Sequence, residues 1–393
     1  MLSPCSTTHR RFGQLAVAAA VAIAVITSAA SSLAAVDPLP VGNGGREARP
    51  EDGDLCGNLL LSRGRFTPLG APADAAPDPR ATVYSGINNR RQLVGGYYVA
   101  GSTPDGRGFY PDDAHRAVIT DRNGRSRSVD VPGARITLAY AINDHTQVVG
   151  QYVDAGAVPD ARGRLPAGSV HGFLWHRGEV TIIDVPGAPL TQPLGINNHG
   201  DIVGAYLEAD ADPADPYVYY ETGRLRGFVM RAGKFTPVDF PGGDGTKVSG
   251  INDGGHMVGY YDTPEARRGF LLDHGTFTEI DPPGSLTTLP SGIDNHGEVV
   301  GAYLDPNGIN GRGFIWNDGR YTTIVAPGTR TDSIALAIND RGDILIPADG
   351  TYYRQPEIAC GKPTTPAGAA GTATMTANEP GASASPQPTA ATP

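Results

Sequence analysis

Cysteine is scarce in this sequence, with 3 residues among 393. Cys5 lies in the N-terminal segment, which leaves Cys56 and Cys360 for the rest of the chain. Basic residues are outnumbered as well, with 31 Lys and Arg against 41 Asp and Glu, and the formal net charge is −10. Because nucleic-acid binding needs clustered basic residues that replace counterions, we expect no nucleic-acid partner. The acidity favours cations or neutral molecules as ligands instead.

Catalytic signatures and late apolar runs are missing too. The sequence has no nucleophile elbow, zinc-protease motif, phosphate-binding loop or dinucleotide fingerprint. No segment after the N-terminal one is long and apolar enough to span a bilayer, so we expect no transmembrane segment. Glycine and proline are abundant, with 53 and 34 residues, which favours many turns and disfavours long helices.

The first 34 residues are typical of a signal peptide. A basic start at 9–11 precedes an apolar run at 15–26, and small residues at 32 and 34 predict cleavage near Ala34. We therefore expect a secreted protein. The export route stays open, because the arginine pair at 10–11 fits the twin-arginine pathway whereas Gly13 stands where that motif has phenylalanine. Residues 35–55 are predicted to be a flexible N-terminal segment.

One unit of about fifty residues recurs along the chain, and it is complete between 191 and 241. Its four short runs are rich in β-branched and aromatic residues and are bounded by turn residues. They are TQPLGIN (191–197), DIVGAYL (201–207), RGFVM (226–230) and FTPVDF (235–240). An Asn/Gly turn joins the first two runs, and Ala-Gly joins the last two. The unit is predicted to be a four-stranded antiparallel sheet.

The repeats predict an all-β, six-bladed β-propeller. First strands carry isoleucine at equivalent places, namely Ile87, Ile142, Ile196, Ile251, Ile293 and Ile338. Five units are complete, but the sixth has only its first hairpin, at 333–349, and the matching second hairpin lies near the N-terminus, at 59–70. The last blade is therefore predicted to be closed by both termini, which removes open sheet edges.

Cys56 and Cys360 flank the break in this composite blade. In an oxidising compartment such a pair predicts a disulfide that replaces the missing covalent connection. Closing a loop of about 300 residues is worth roughly 5 kcal/mol in the chain-entropy model. The single propeller domain is predicted to span 56–360, and the Ala/Thr/Pro-rich stretch 361–393 is predicted to be a disordered tail. We expect a monomer.

The repeat motif resembles that of a known group of proteins. GINNHGDIVGAY, followed by HGFLW or RGFLL and then by FTxID-x-PG, resembles the bacterial extracellular HAF-repeat proteins. The family is named for a His-Ala-Phe step, which is written here as His171-Gly172-Phe173 or as Arg-Gly-Phe, so the tripeptide itself is absent. The resemblance covers about 59–349. It implies a secreted repeat protein with a propeller fold and brings no catalytic residues.

Candidate ligand-binding residues lie where the variable loops begin, between the second and third strands of each unit. One set is acidic and follows the second strand: Asp154, Glu208, Asp262 and Asp305. Such carboxylates either bind Ca²⁺ or supply a general acid/base pair, or they are simply solvated loop starts. Apart from Ca²⁺ we expect no cofactor.

Two further sets recur in register. The tyrosines are Tyr97, Tyr152, Tyr206, Tyr261 and Tyr303, which either stack on sugar rings or pack between neighbouring blades. The threonines are Thr137, Thr191, Thr246 and Thr288, which either place hydroxyls around the channel mouth or cap the turn before the inner strand.

The leading functional hypothesis is a non-catalytic binding module for an extracellular glycan or a cell-surface partner. The alternative is a propeller hydrolase or lyase that acts on a sugar or lactone at the channel mouth. Two of the acidic residues converging in a concave pocket would favour the enzyme.

Overall fold

The computed structural model describes residues 57–77, 81–102, 114–158, 165–208, 217–218, 225–305, 311–326, 333–347 and 376–377. The predicted signal peptide, the 35–55 segment and both cysteines of the proposed disulfide, Cys56 and Cys360, lie outside these residues. Regular structure in the described residues is all β, in six four-stranded antiparallel blades that form a ring. The predicted six-bladed propeller is confirmed.

Twenty-seven strands build the described part of the chain. The N-terminal hairpin is β1 (Leu59–Ser62) and β2 (Arg65–Pro68). Blade 1 is β3 (Thr82–Ile87), β4 (Leu93–Tyr98), β5 (His115–Thr120) and β6 (Ser126–Ser128). Blade 2 is β7 (Ala134–Ile142), β8 (Val148–Asp154), β10 (Val170–His176) and β11 (Glu179–Ile183), with the short β9 (Leu165–Pro166) before β10.

Blade 3 is β12 (Thr191–Ile196), β13 (Ile202–Leu207), β15 (Leu225–Arg231) and β16 (Lys234–Val238), with β14 (Tyr217–Val218) pairing to β9 of blade 2. Blade 4 is β17 (Gly245–Ile251), β18 (Met257–Asp262), β19 (Arg267–Asp273) and β20 (Thr276–Ile280). Blade 5 is β21 (Thr287–Ile293), β22 (Val299–Leu304), β23 (Gly311–Asn317) and β24 (Arg320–Ile324). The last strands are β25 (Ala337–Ile338), β26 (Ile344–Ile346) and β27 (Thr376–Ala377).

Blade 6 is built from the two ends of the propeller, in the strand order β2-β1-β26-β25. Leu59 pairs with Ile346 and Leu61 with Ile344, and all four side chains are buried in one apolar cluster. Burying such side chains contributes about 2 kcal/mol each. The closure predicted from the repeat pattern is confirmed. Beyond the ring, β27 pairs with β24 and adds a fifth strand to blade 5, within the stretch expected to be disordered.

A glycine in the second strand and a phenylalanine in the third explain the core of each complete blade from 2 to 5. A Cβ at Gly204 would lie 2.0 Å from the carbonyl oxygen of Gln192 and 2.9 Å from the ring of Phe228. The phenylalanine can therefore pack against the bare backbone, and Phe228 is fully buried. The glycine of the Val-Gly step and the phenylalanine of the Gly-Phe step in the repeat motif therefore contact each other across neighbouring strands.

Short turns define one face of the propeller. In the turn between the first two strands of blade 3, the Asn197 side-chain oxygen accepts the backbone N–H groups of His199 and Asp201 at 3.0 and 2.9 Å. The turn between the last two strands has positive φ at Ala232 and Gly233, 47° and 78°, as type I′ hairpins require. We call this side the turn face, and the opposite side, where second strands lead into long loops, the loop face.

None of the chain that the structure describes forms a helix of the length and hydrophobicity that crossing a bilayer requires.

Candidate functional site: the central channel

The six inner strands enclose a central channel. β3, β7, β12, β17, β21 and β25 each contact the next strand, and β25 contacts β3 to complete the circle. The channel contains a cavity of about 400 Å³, which lies within the size range of small-molecule sites. Inner strands start at the loop face and end at the turn face, so the two ends of the channel carry different side chains.

The turn-face end is formed by a closed ring of alternating asparagine and aspartate side chains, the Asn/Asp ring. Its members are Asn89, Asp144, Asn198, Asp253, Asn295 and Asp340. The side-chain nitrogen of each asparagine donates to the aspartates on both sides; for Asn295 these bonds measure 2.8 Å to Asp253 and 2.9 Å to Asp340. Each remaining side-chain oxygen accepts a backbone N–H from the preceding blade, as Asp340 does from Asn295 at 2.8 Å.

This alternation places an amide between every two carboxylates. Burial alone would raise the pKa of Asp253, but hydrogen bonds from Asn198 and then from Asn295 hold that pKa below its usual value. The ring therefore stabilises the charged form of Asp253. Strict alternation closes only around an even number of blades, and six blades satisfy it.

The channel wall is largely apolar. Its lining side chains include Leu138, Leu194, Leu289, Pro290, Ile334 and Leu336. An apolar wall with few polar groups is typical of sites that bind small organic molecules.

At the loop-face end, blade 4 places the buried Lys247 in the channel wall. Burial, together with the charge of Arg267, lowers the pKa of Lys247 to about 8, and the charge of Asp262 opposes this shift. Arg267 itself is paired with Asp262 at 2.8 Å and lies over the ring of Tyr260. Among the described residues, the Lys247 ammonium has no hydrogen-bond or ion-pair partner. A buried, unpartnered cation is costly, so this position is poised to accept an anion.

Blade 1, opposite blade 4 in the ring, contributes His115 and Tyr98 to the same end of the channel. Their rings meet edge to face at 5.2 Å, and His115 lies over Gly96, where a Cβ would come within 2.2 Å of the imidazole. Burial lowers the pKa of His115 to about 4, with a smaller effect from the charge of Arg116. The imidazole is therefore neutral at pH 7 and adds no second unpaired cation beside Lys247.

The acidic set predicted from the sequence is distributed around the loop face rather than gathered. Asp262 pairs with Arg267 at 2.8 Å, and Glu208 pairs with Arg226 at 2.8 Å. Asp154 lies 3.4 Å from the imidazole of His171, and Asp305 is buried. In the described residues, none of the four belongs to a cluster with metal-ligand spacing. Three of these carboxylates are thus paired with a basic side chain of their own blade.

The tyrosine set packs between blades, which is the second of the two expected roles. Tyr261 stacks flat on Phe240 of the preceding blade, with ring centroids 3.6 Å apart. Tyr152 stacks on His171 and joins an apolar cluster that includes residues of blade 1. The remaining members are Tyr97, bonded to Asp74; Tyr303, bonded to Thr323; and Tyr206, packed in a mixed cluster of blades 2 and 3. These contacts leave little ring face for a sugar.

The threonine set caps the connections that lead into the inner strands, again the second expected role. The hydroxyl of Thr137 accepts the N–H of Val131 at 3.0 Å, and Thr246 accepts that of Phe240 at 2.9 Å. Thr191 does the same for Val185, whereas Thr288 bonds to the Ser285 hydroxyl. All four threonines are buried, so their hydroxyls do not ring the channel mouth.

Lys247 was not predicted from the sequence, although a signal was present. Four residues before the repeated isoleucine, the other five inner strands carry uncharged side chains. These are Val83, Leu138, Gln192, Leu289 and Ile334. Lys247 is the only charged residue at this position of the six inner strands. The Asn/Asp ring had a signal too, because the second residue after that isoleucine alternates between the two types along the whole chain.

Comparison with known proteins identifies no family. No family model matches the chain, and no curated protein matches it in sequence. Solved structures similar to it include TolB from Acinetobacter baumannii, which is 14% identical with a TM-score of 0.37, over 61% of this chain and 61% of that one.

Two further similar structures cover more of their own length. A gluconolactonase from Xanthomonas campestris is 14% identical with a TM-score of 0.34, over 77% of this chain and 98% of that one. The β-propeller domain of the Trilobed protease from Pyrococcus furiosus is 11% identical with a TM-score of 0.32, over 65% of this chain and 92% of that one. At such identities and TM-scores, none of these likenesses assigns a ligand or a reaction to this chain.

Proposed function

We propose that this protein is a secreted, non-catalytic propeller that binds a small organic anion in its central channel. The observation that carries the proposal is Lys247, a buried ammonium without a partner among the described residues, in the wall of a cavity of about 400 Å³. The signal-peptide pattern at 1–34 and the resemblance to HAF-repeat proteins support the extracellular location.

The chemistry of the wall indicates the kind of anion. A carboxylate beside Lys247 would supply the missing counter-charge, and an opposite charge at about 4 Å is worth roughly 4 kcal/mol of Coulomb energy in a protein-like dielectric before desolvation. The body of the ligand would then extend toward Leu138, Leu194 and Leu289, which favours an aliphatic or aromatic acid over a sugar. Entry is from the loop face, because the Asn/Asp ring occupies the other end.

A matched pair of probes tests this proposal. Octanoate and octanol have the same chain length but differ in charge, and a ligand selective for the native state raises the Tm. We expect octanoate to raise the Tm of the full chain more than octanol does. The effect of octanoate should vanish in Lys247→Met and persist in Lys234→Met, since Lys234 is an exposed lysine on β16. Equal shifts in the two variants, or none in the wild type, would overturn the proposal.

A glycan or a surface protein is the ligand class that the loop face would take instead. Its support is that the sequences of the long loops differ from blade to blade. The packing of the tyrosine set weighs against it, because that packing removes the expected surface for stacking on sugars. In that case a glycan array would give binding that is unchanged in Lys247→Met.

A hydrolase or lyase that acts on a sugar or lactone at the channel mouth is the second candidate function. It is favoured by the lowered pKa of Lys247, about 8, since an amine that titrates near working pH can act as a general base. Hydrolysis of a δ-lactone that is faster with wild type than with Lys247→Met would support it. Equal rates for both would exclude Lys247 as the base.

A further inference from the structure

Three metal-ligating side chains converge on the turn face of blade 4, away from the channel. His256 ends the turn before β18, Asp273 ends β19, and His274 opens the turn before β20. One ligand atom from each residue lies within 4.8 Å of the other two. His256 Nε2 is 3.2 Å from Asp273 Oδ1, and His274 Nδ1 also contacts that oxygen.

The other blades show what the fold alone requires at these positions. In blade 3 the residues equivalent to His256 and Asp273 are Asp201 and Arg231, which form an ion pair at 3.1 Å. In blade 5 they are Glu298 and Asn317, which form a hydrogen bond at 3.2 Å. A polar bridge between the two turns is therefore structural. Blade 4 differs because its bridging residues, His256 and Asp273, are both of types that bind transition metals.

The third ligand is not required by the fold. His274 has a φ of 45° at the first position of its turn, where blade 3 has Ala232 and blade 2 has Arg177. The turn thus accepts unrelated side chains at this place. At His274 an imidazole is added to a His/Asp pair, and the two imidazole rings lie 5.5 Å apart, edge to face.

We propose that His256, Asp273 and His274 bind a divalent transition-metal cation of the Zn²⁺ class, with water in the fourth position. Two imidazoles and one carboxylate are the ligand types that Zn²⁺ prefers. Metal–ligand bonds of about 2.1 Å in a tetrahedron separate the ligand atoms by about 3.4 Å. The 3.2 Å between His256 and Asp273 already matches that spacing. Such a cation would fasten the two turns of blade 4 to each other.

Three features set the affinity. The net charge of −10 attracts cations to the protein. Against this, a cation on His256 Nε2 moves the ring proton to Nδ1, which lies 3.3 Å from the Asn252 side-chain nitrogen, so that contact is lost. Asp273 and His274 are also largely exposed, with 55% and 78% of their side chains accessible. We expect micromolar rather than nanomolar binding of Zn²⁺.

Titration of the full chain with Zn²⁺ or Co²⁺ tests the site, with all thiols alkylated beforehand so that cysteines do not compete. We expect one equivalent to bind and Co²⁺ to give the intense visible absorption of a tetrahedral centre. His274→Ala and Asp273→Asn should each weaken binding by at least ~10-fold, because even partners outside the ligand shell are worth that much.

The matched controls are histidines on the same face in other blades. His199→Ala and His176→Ala remove imidazoles near the groove between blades 2 and 3 and should leave binding unchanged. If no cation binds, or if His274→Ala binds as the wild type does, the proposal is wrong. Loss of binding in the control variants would place the cation in that groove and overturn it equally.

Discussion

The side-chain amide of Asn339 donates a hydrogen bond to the backbone carbonyl of Asn88 at 3.0 Å, although 251 positions separate them. The same kind of bond joins one blade to the next in four further places. It runs from Asn88, Asn143, Asn197 and Asn252 to the carbonyl of the equivalent residue. The circle is interrupted at the sixth position, Asp294, because a carboxyl group has no N–H to donate toward Asn339.

Asp294→Asn should therefore stabilise the propeller. The amide would supply the missing bond to the Asn339 carbonyl, and a net gain of about 1 kcal/mol is typical of one such bond. In the variant, the side-chain oxygen at position 294 would still accept the N–H groups of His296 and Glu298, because the equivalent asparagine oxygen does this in other blades. Urea unfolding of both proteins at pH 8 measures the difference.

The pH dependence of this gain has a defined sign. The hydrogen bond that His296 donates to Asp294, together with the charge of Asp294, raises the pKa of His296, so protonated His296 stabilises the wild type at low pH. The stability from that pair is lost as pH rises through the raised pKa, and the variant never has it. The advantage of Asp294→Asn should thus be greatest at pH 8 and shrink at pH 6. Asn252→Asp, which breaks the circle one blade earlier, is the control and should destabilise.

The Asn/Asp ring should not tolerate a change of its alternation. Asn198→Asp removes donors to Asp144 and Asp253, at 3.5 and 2.9 Å, and places three carboxylates in succession. We expect a loss of about 3 kcal/mol at pH 7, since bonds to charged groups are the strong ones. Asn123→Asp, in an exposed turn, should change stability little; equal losses in both variants would contradict the role of the ring.

The fold was predictable from the sequence because a propeller repeats its local rules. The spacing of isoleucines such as Ile196 and Ile251 counts the blades, and the match of 59–70 to later hairpins identifies the closure. Neither inference needs side-chain contacts. Blades 2 to 5 bury the same Val-Gly and Gly-Phe steps, so one unit explains the four of them.

The candidate site was harder to predict, because the most conspicuous sequence signals come from residues that recur in every blade. Residues that recur in every blade, such as Tyr261 and Thr246, serve packing and capping that every blade needs. The partner of Glu208 is Arg226, 18 positions later in the chain, and strand pairing alone brings them together. Lys247 is informative because it departs from the repeat.

Lys247→Met should make the protein more stable at neutral pH. The pKa of Lys247 is lowered to about 8 in the native state, against 10.5 ordinarily, so the unfolded chain binds this proton more tightly. Wild-type stability should then rise from pH 8 toward pH 10.5, and the difference corresponds to about 3 kcal/mol. The variant should lack this rise. Guanidinium unfolding at pH 7 and pH 10 measures it, and Lys234→Met, at an exposed position, should keep the wild-type profile.

A gain in stability together with a loss of octanoate binding would identify Lys247 as a functional residue kept at a cost to folding. A Lys247→Met protein that is less stable at pH 7 would instead mean that the ammonium has a partner in the native protein, and the channel would then have no free cation to offer an anion.

His115 should make the propeller sensitive to mild acid. Its pKa is lowered to about 4, first by burial and then by the charge of Arg116, while a hydrogen bond with the backbone of Thr137 opposes the shift. The unfolded chain takes up this proton near pH 6.5, so the stability is fully present above that pH and is lost as pH falls toward 4. Up to about 3 kcal/mol is at stake. Urea midpoints at pH 7.5 and pH 5 should differ less for His115→Gln than for the wild type. His145→Gln, in an exposed turn, should behave as the wild type; an unchanged pH dependence in His115→Gln would show that the channel imidazole titrates freely.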